Sequence, residues 1–210
     1  MSVHRHRLRE ILASVYLYNE HRGYTQLQDV LEAVRHRHPD ETDFIRAVEH
    51  HLADEEKHYR MFRGFFHTRA RMPFRVPPEC GYVNQIVRRV FRQPVESLDR
   101  EKVVGDDALF YQLCRLIMIT EARGMRQVED VLRWKCVRED RLLTRIFAVI
   151  RDDEPAHCFP YQDWLESRGE ACVGSHERWA DRFTHWDLMF HRIPRMYANP
   201  LLPRLAEFPA

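Results

Sequence analysis

The hydrophobic positions of the chain fall into four stripes at helical spacing, each interrupted by acidic or imidazole side chains. In the first stripe Leu12, Ala13, Tyr16, Leu17, Glu20, Gly23, Tyr24, Leu27, Val30, Leu31 and Val34 share one face, so the helix buries Glu20 among apolar neighbours. The polar run from His36 to Pro39 ends it, and Asp40 is placed to cap the second helix. That helix carries Phe44, Val48, Leu52, Glu55, His58, Tyr59, Phe62, Phe65 and Phe66 on one face and is expected to end near Met72 and Pro73. Glu55 and His58 stand one turn apart on that face. The third stripe runs through Phe110, Leu113, Cys114, Ile117, Met118, Glu121, Gly124, Met125, Val128, Val131 and Leu132. The fourth runs through Leu143, Ile146, Phe147, Ile150, Glu154, His157, Tyr161 and Trp164. Between the pairs, the segment from Pro73 to about Val104 holds one short helical pattern, Tyr82 to Phe91, and its length suits a crossover rather than a tight turn. Beyond Gly169 a helix is expected from Ser175 to His191, then a tail whose Pro194, Pro200, Pro203 and Pro209 lay it over the surface.

The second half of this pattern repeats the first. Glu20 to Leu31 and Glu121 to Leu132 both read Glu-x-Arg-Gly-x-x-Gln-Leu/Val-Gln/Glu-Asp-Val-Leu, and each is followed by Asp-Glu-x-x-His, at Asp54 to His58 and at Asp153 to His157. The first elements lie 101 residues apart and the second 99, so the chain is an internal duplication. Each half offers one lone Glu on its first helix and a Glu-x-x-His on its second. A carboxylate buried on an apolar stripe carries a desolvation penalty of several kcal/mol unless a counter-charge is supplied. Glu20, Glu55, Glu121 and Glu154 would bring four negative charges, two divalent cations would cancel them, and His58 and His157 would remain as neutral ligands. Asp54 and Asp153 precede the two motifs. A metal-bound imidazole donates its other ring N–H to a carboxylate or carbonyl, so Asp54 is expected to accept from His157 and Asp153 from His58.

This ligand set, a Glu from each of two helices and a Glu-x-x-His from each of the other two, resembles that of the ferritin-like di-iron or di-manganese carboxylate proteins. The resemblance covers about residues 8 to 165 and is of the ribonucleotide reductase small subunit, rubrerythrin and di-iron hydroxylase type. It implies an all-α fold, a ferritin-like four-helix bundle of two antiparallel helix pairs joined by a long crossover, over residues 1–170. The C-terminal helix and Pro-containing tail, residues 171–210, are expected to pack on the same domain. It implies a cofactor of two Fe ions, with Mn/Fe or Mn as variants, and bridging roles for Glu55 and Glu154 with Glu20 and Glu121 terminal. No catalytic residue beyond the ligands is nominated.

Other repeated or distinctive residues carry less. Arg22, Gln26 and Asp29, with Arg123, Gln127 and Asp130, point away from the ligand face and suit helix pairing or an interface before catalysis. Gly23 and Gly124 either leave room for dioxygen or substrate beside the metals or permit close helix packing. Pro155 is expected to distort the fourth helix at the motif. Tyr16, Tyr24, Tyr59, Tyr111 and Tyr161 read as packing tyrosines before redox-active ones, and His51 as a packing residue before a seventh ligand.

Composition narrows the function. Lys and Arg number 33 against 32 for Asp and Glu, so a net charge of +1 supplies no field to attract nucleic acid. Five cysteines without a Cys-x-x-Cys spacing argue against a disulfide framework and a rubredoxin-type iron centre, and fit a reducing cytoplasm. Neither a signal peptide nor a membrane span is read in the chain. The expected function is a non-haem di-iron oxidoreductase that activates dioxygen to hydroxylate or desaturate a small hydrophobic substrate. Tyr16, Phe62, Phe147, Ile117 and Met118 are the expected lining, an electron-donor protein is a further partner, and a homodimer is allowed. The alternatives are a ferroxidase or peroxide-reducing protein without organic substrate, and a metal-free or zinc-filled structural bundle.

Overall fold

The structure is a computed structural model that describes residues 3–209, apart from the side chains of Val3 and Tyr24, so the expectation for Tyr24 lies outside the described side chains. It is all-helical, with no strand among the described residues. Four helices are long: α1 (Val3–Arg37), α2 (Thr42–His67), α5 (Asp107–Arg133) and α7 (Arg141–Glu166). Between α2 and α5 lie α3 (Tyr82–Phe91) and α4 (Arg100–Gly105), α6 (Lys135–Arg138) joins α5 to α7, and α8 (Ser175–Asp187) and α9 (Ile193–Ala198) follow.

Helix α1 packs along α2, α5 along α7, and the two pairs meet where α2 packs on α7. Their directions follow from the core. One apolar cluster holds Val30 and Val34 of α1, Phe44 and Val48 of α2, Phe110 and Leu113 of α5, and Tyr161 and Trp164 of α7. A second holds Ala13 and Leu17 of α1, Phe62 and Phe66 of α2, Val128 and Val131 of α5, and Ile146 and Phe147 of α7. Passing from one cluster to the other, α2 and α5 run one way while α1 and α7 run the opposite way. Both pairs are therefore antiparallel, and Glu20, Glu55, Glu121 and Glu154 lie midway between two apolar layers.

Two of the long helices start on local side-chain caps. Asp106 accepts from Leu109 N (3.0 Å) to cap α5, and Asp140 accepts from Leu143 N (3.1 Å) to cap α7. Asp40 does not cap α2. Glu41 holds that position without a side-chain cap bond, because its carboxylate is drawn to Arg168 beyond the end of α7. Helix α2 also stops at His67, earlier than its stripe suggests, in a turn where Ala70 takes the left-handed region at φ 49°. The crossover is more helical than expected: α4 forms because Asp99 accepts from Lys102 N (2.9 Å). Helix α7 runs unbroken through Pro155 and Pro160.

The C-terminal helix passes through a π-helical turn, Leu188–Arg192, into α9. Beyond it the tail lies antiparallel to the start of the crossover, with Arg75 N bonded to Pro203 O (2.8 Å) and Leu205 N to Pro73 O (2.9 Å). On α8 the acidic Glu177 and Asp181 turn inward to Arg115 and Arg123, while Trp179, Phe183 and Trp186, with Phe190 of the π-helical turn, stand exposed as a ridge of neighbouring rings. All five cysteines are free thiols. Among the described residues no helix is long and apolar enough to cross a membrane.

Candidate metal centre

The six residues nominated by the duplication come together from four helices. Glu20 projects from α1, Glu55 and His58 from α2, Glu121 from α5, Glu154 and His157 from α7. His58 Nδ1 lies 3.3 Å from Glu20 Oε2, and His157 Nδ1 lies 3.7 Å from Glu55, 3.9 Å from Glu121 and 4.0 Å from Glu154. His58 and His157 are fully enclosed, and Glu20, Glu55 and Glu154 are buried.

Two groups of donor atoms, each spanning no more than 4.8 Å, could hold a cation: Glu20, Glu55 and His58, and His51, Glu55, Glu121 and His157. Glu55 is common to both, where a bridging carboxylate would stand. Glu154 belongs to neither, and its Oε2 is buried without a hydrogen bond.

Each imidazole is held from behind by an aspartate of the other half. His58 Nε2 meets Asp153 Oδ2 at 2.9 Å and His157 Nε2 meets Asp54 Oδ2 at 3.3 Å. With Nε2–H donating outward, the Nδ1 lone pair faces the carboxylates, and neither Nδ1 has a hydrogen bond. Lys57 binds both aspartates, Asp153 at 2.8 Å and Asp54 closer still, and so links the halves behind the centre. His50 adds a contact to Asp54 at 3.3 Å. Burial works against the Asp54 charge, but the bonds from His157 and Lys57 outweigh it and hold its carboxyl well below the usual carboxylate range.

The inner carboxyls behave oppositely. Burial, then the charge of Glu121, pushes Glu20 up to about 8, and burial, then Glu20, pushes Glu55 up to about 8. Burial and Glu121 raise Glu154 well above its ordinary value. Without a cation the protein holds these acids by keeping protons on them, as expected where several carboxylates share one dry space.

The two glycines have a clear steric reason. A β-carbon at Gly23 would overlap the Glu55 carboxylate, and one at Gly124 would stand 2.9 Å from Glu154 Oε1. Each half thus uses the glycine one turn after its lone Glu to seat the acid of its own Glu-x-x-His.

A cavity of about 80 Å³ opens beside the carboxylates. Its walls are Leu27 and Val30 of α1, Ile86 and Val87 of α3 and Leu113, Leu116 and Ile117 of α5, and Glu55, Glu121, His51, Arg100 and Gln26 belong to its polar lining. Of the five expected lining residues only Ile117 lines it. Tyr16, Phe62 and Phe147 instead pack on one another, with centroids 4.8 to 5.7 Å apart, and Met118 is core. The space forms between α1 and α5 under the crossover helix α3, a relation no single stripe encodes.

Lys57 is the residue that sequence reasoning passed over, and His51 and Tyr161, read there first as packing residues, stand at the centre itself. His51 sits one turn before Glu55 on the ligand face, and burial lowers its pKa to about 3, so the ring is neutral. Scans against family models, curated proteins and solved structures find no match for this chain.

Proposed function

We propose that the chain is a ferritin-like di-metal protein, a non-haem di-iron oxidoreductase that uses dioxygen to hydroxylate or desaturate a small hydrophobic molecule. The observation that carries this reading is a set of buried donors without hydrogen bonds, His58 Nδ1, His157 Nδ1, His51 Nε2 and Glu154 Oε2, gathered in one place beside an apolar cavity. Buried polar atoms are ordinarily bonded, and a cluster of unsatisfied ones calls for a ligand. Its chemistry fits divalent cations: carboxylates and neutral imidazoles suit iron and manganese, and no thiol is among the donors.

Glu20, Glu55, His58, Glu121, Glu154 and His157 would hold the two ions. When bound as Fe(II), the pair supplies the electrons that reduce dioxygen, the chemistry that a cofactor brings and a protein orients. Asp54 and Asp153 keep the imidazoles in the metal-ready tautomer, and Lys57 bridges the aspartates and offsets part of their charge without entering the centre. The aliphatic walls from α1, α3 and α5 exclude water and select an apolar group near Glu55 and Glu121.

The test is to measure bound metal, reconstitute anaerobically with Fe(II), and then admit dioxygen. Two metals per chain are expected, lost together in Glu55→Ala and in Glu154→Ala, with oxidation that stops at the bound stoichiometry and couples to an apolar substrate. Continued uptake of iron into mineral would replace this reading with a ferroxidase, and a wild-type chain that takes up no iron or manganese would leave only a structural bundle.

A further inference from the structure

Among the places where the duplication is broken beside the centre, two touch one another. With the 99-residue offset of the Glu-x-x-His motifs, His51 corresponds to Ile150 and Tyr161 to Phe62. In the folded protein His51 Nδ1 lies 3.2 Å from the Tyr161 hydroxyl. An imidazole and the hydroxyl that orients it therefore meet across α2 and α7, while the equivalent pair, Ile150 and Phe62, is entirely apolar. Ile150 and Phe62 are both fully buried, so an aliphatic residue satisfies packing at this helical position. Packing alone gives no reason for a histidine.

The free nitrogen points to the reason. His51 is 1 % exposed, and its Nε2 has no hydrogen bond. That atom lies 3.7 Å from Glu55 Oε1 and 3.7 Å from Glu121 Oε1, too far to donate well to either. The ring stacks on His157 with centroids 4.2 Å apart and planes at 21°, so the two imidazoles present their edges side by side. Donors sharing one cation, each about 2.1 Å from it, stand roughly 3 to 4 Å from one another. The spacing around His51 belongs to that range.

We infer that His51 is a seventh metal ligand, oriented by Tyr161, and that it makes the two cation positions chemically different. His51, His157, Glu55 and Glu121 gather at one position and Glu20, His58 and Glu55 at the other, with Glu154, 4.0 Å from His157 Nδ1, completing the seven. The nitrogen-rich position faces the cavity, because His51, Glu55 and Glu121 line it and Glu20 and His58 do not. Added imidazole favours metals later in the Irving–Williams order, so this position prefers Fe(II) over Mn(II) more strongly than the other. Tyr161 acts as a positioning residue through its bond to Nδ1.

This assignment rests on the dinuclear reading, and one experiment separates their failures. Co(II) alone is titrated into metal-free protein, with bound metal counted by equilibrium dialysis and the ligand field followed by visible absorption. Wild type should show two steps with distinct spectra. His51→Ile, which copies the other half, should keep one step near wild-type affinity and weaken the other by about 100-fold or more, with loss of its spectrum. Tyr161→Phe should weaken that same step by about 10-fold, the scale of losing an orienting bond behind a ligand. A melting curve confirms that each variant is folded, and Ile is the residue the duplicate half already accommodates. Two unchanged steps and spectra in folded His51→Ile would overturn the inference while leaving the dinuclear centre standing. No Co(II) bound by wild type would overturn both.

Discussion

Gly23 and Gly124 are the residues whose substitution separates metal binding from fold stability. In the interior of a helix Ala is more favourable than Gly by about 0.8 to 1 kcal/mol. At these positions the added methyl meets the end of a flexible side chain, Glu55 or Glu154, which can swing aside in the metal-free protein. Gly23→Ala and Gly124→Ala are therefore expected to leave metal-free stability unchanged or raised by up to about 1 kcal/mol, measured by urea unfolding. The same substitutions should weaken divalent-metal affinity by at least about 10-fold, because the displaced carboxylate can no longer reach its place. Equal loss of both properties would show that the glycines serve helix packing alone.

Helix pairing depends on which copy of the repeat a residue occupies. Arg22 and Arg123 hold the same place in the duplicated motif, and both leave the ligand face as their spacing requires. Arg22 bridges to the half-exposed Glu96 at 2.7 Å, next to α4, whose Arg100 binds Gln26 and Asp29. Arg123 instead makes a two-pronged pair with Asp181 of α8, itself 5 % exposed and bonded by the Tyr82 hydroxyl, and Gln127 reaches His185 of α8. Removing one partner of a buried pair strands the other charge. Arg123→Ala should cost about 3 kcal/mol and Arg22→Ala less than about 1 kcal/mol in chemical unfolding at neutral pH. Burial opposes the Asp181 charge, but Arg123 and Tyr82 hold its pKa below the ordinary value. A folded-state value below the unfolded one contributes stability that is complete above about pH 4 and fades as the pH falls. The gap between wild type and Arg123→Ala should accordingly narrow below that pH.

At the scale of the molecule, the centre is where four helices meet between two apolar layers, so a bound cation ties together both halves of the chain at once. A ligand that binds only the folded state at 100 times its Kd adds about 2.7 kcal/mol. For a chain of 210 residues that corresponds to a rise in Tm of roughly 5 to 10 °C per ion. Scanning calorimetry with Fe(II) or Mn(II) under anaerobic conditions should show this rise as one cooperative transition, reversed by a chelator. A rise confined to a minor, separate transition would mean that the cation stabilises only one helix pair.

The sequence by itself determined the all-helical class, the duplicated order of Glu and Glu-x-x-His, and the long crossover, because helical periodicity and internal repetition are written in neighbouring residues. The acids and imidazoles it nominated occur together midway along α1, α2, α5 and α7. Even the exchange of Asp54 and Asp153 between halves was legible, since an imidazole has one nitrogen to turn inward and one to turn out. Tertiary structure alone decided the rest. Lys57 serves both aspartates only because α2 lies against α7, and Glu41 abandons its cap for Arg168 for a similar reason. The cavity lies under α3 because the crossover covers the space between α1 and α5, and His51 meets Glu121, His157 and Tyr161 only in the folded chain. These are contacts between residues far apart in the chain, and periodicity fixes which face a side chain takes without fixing what that face will meet.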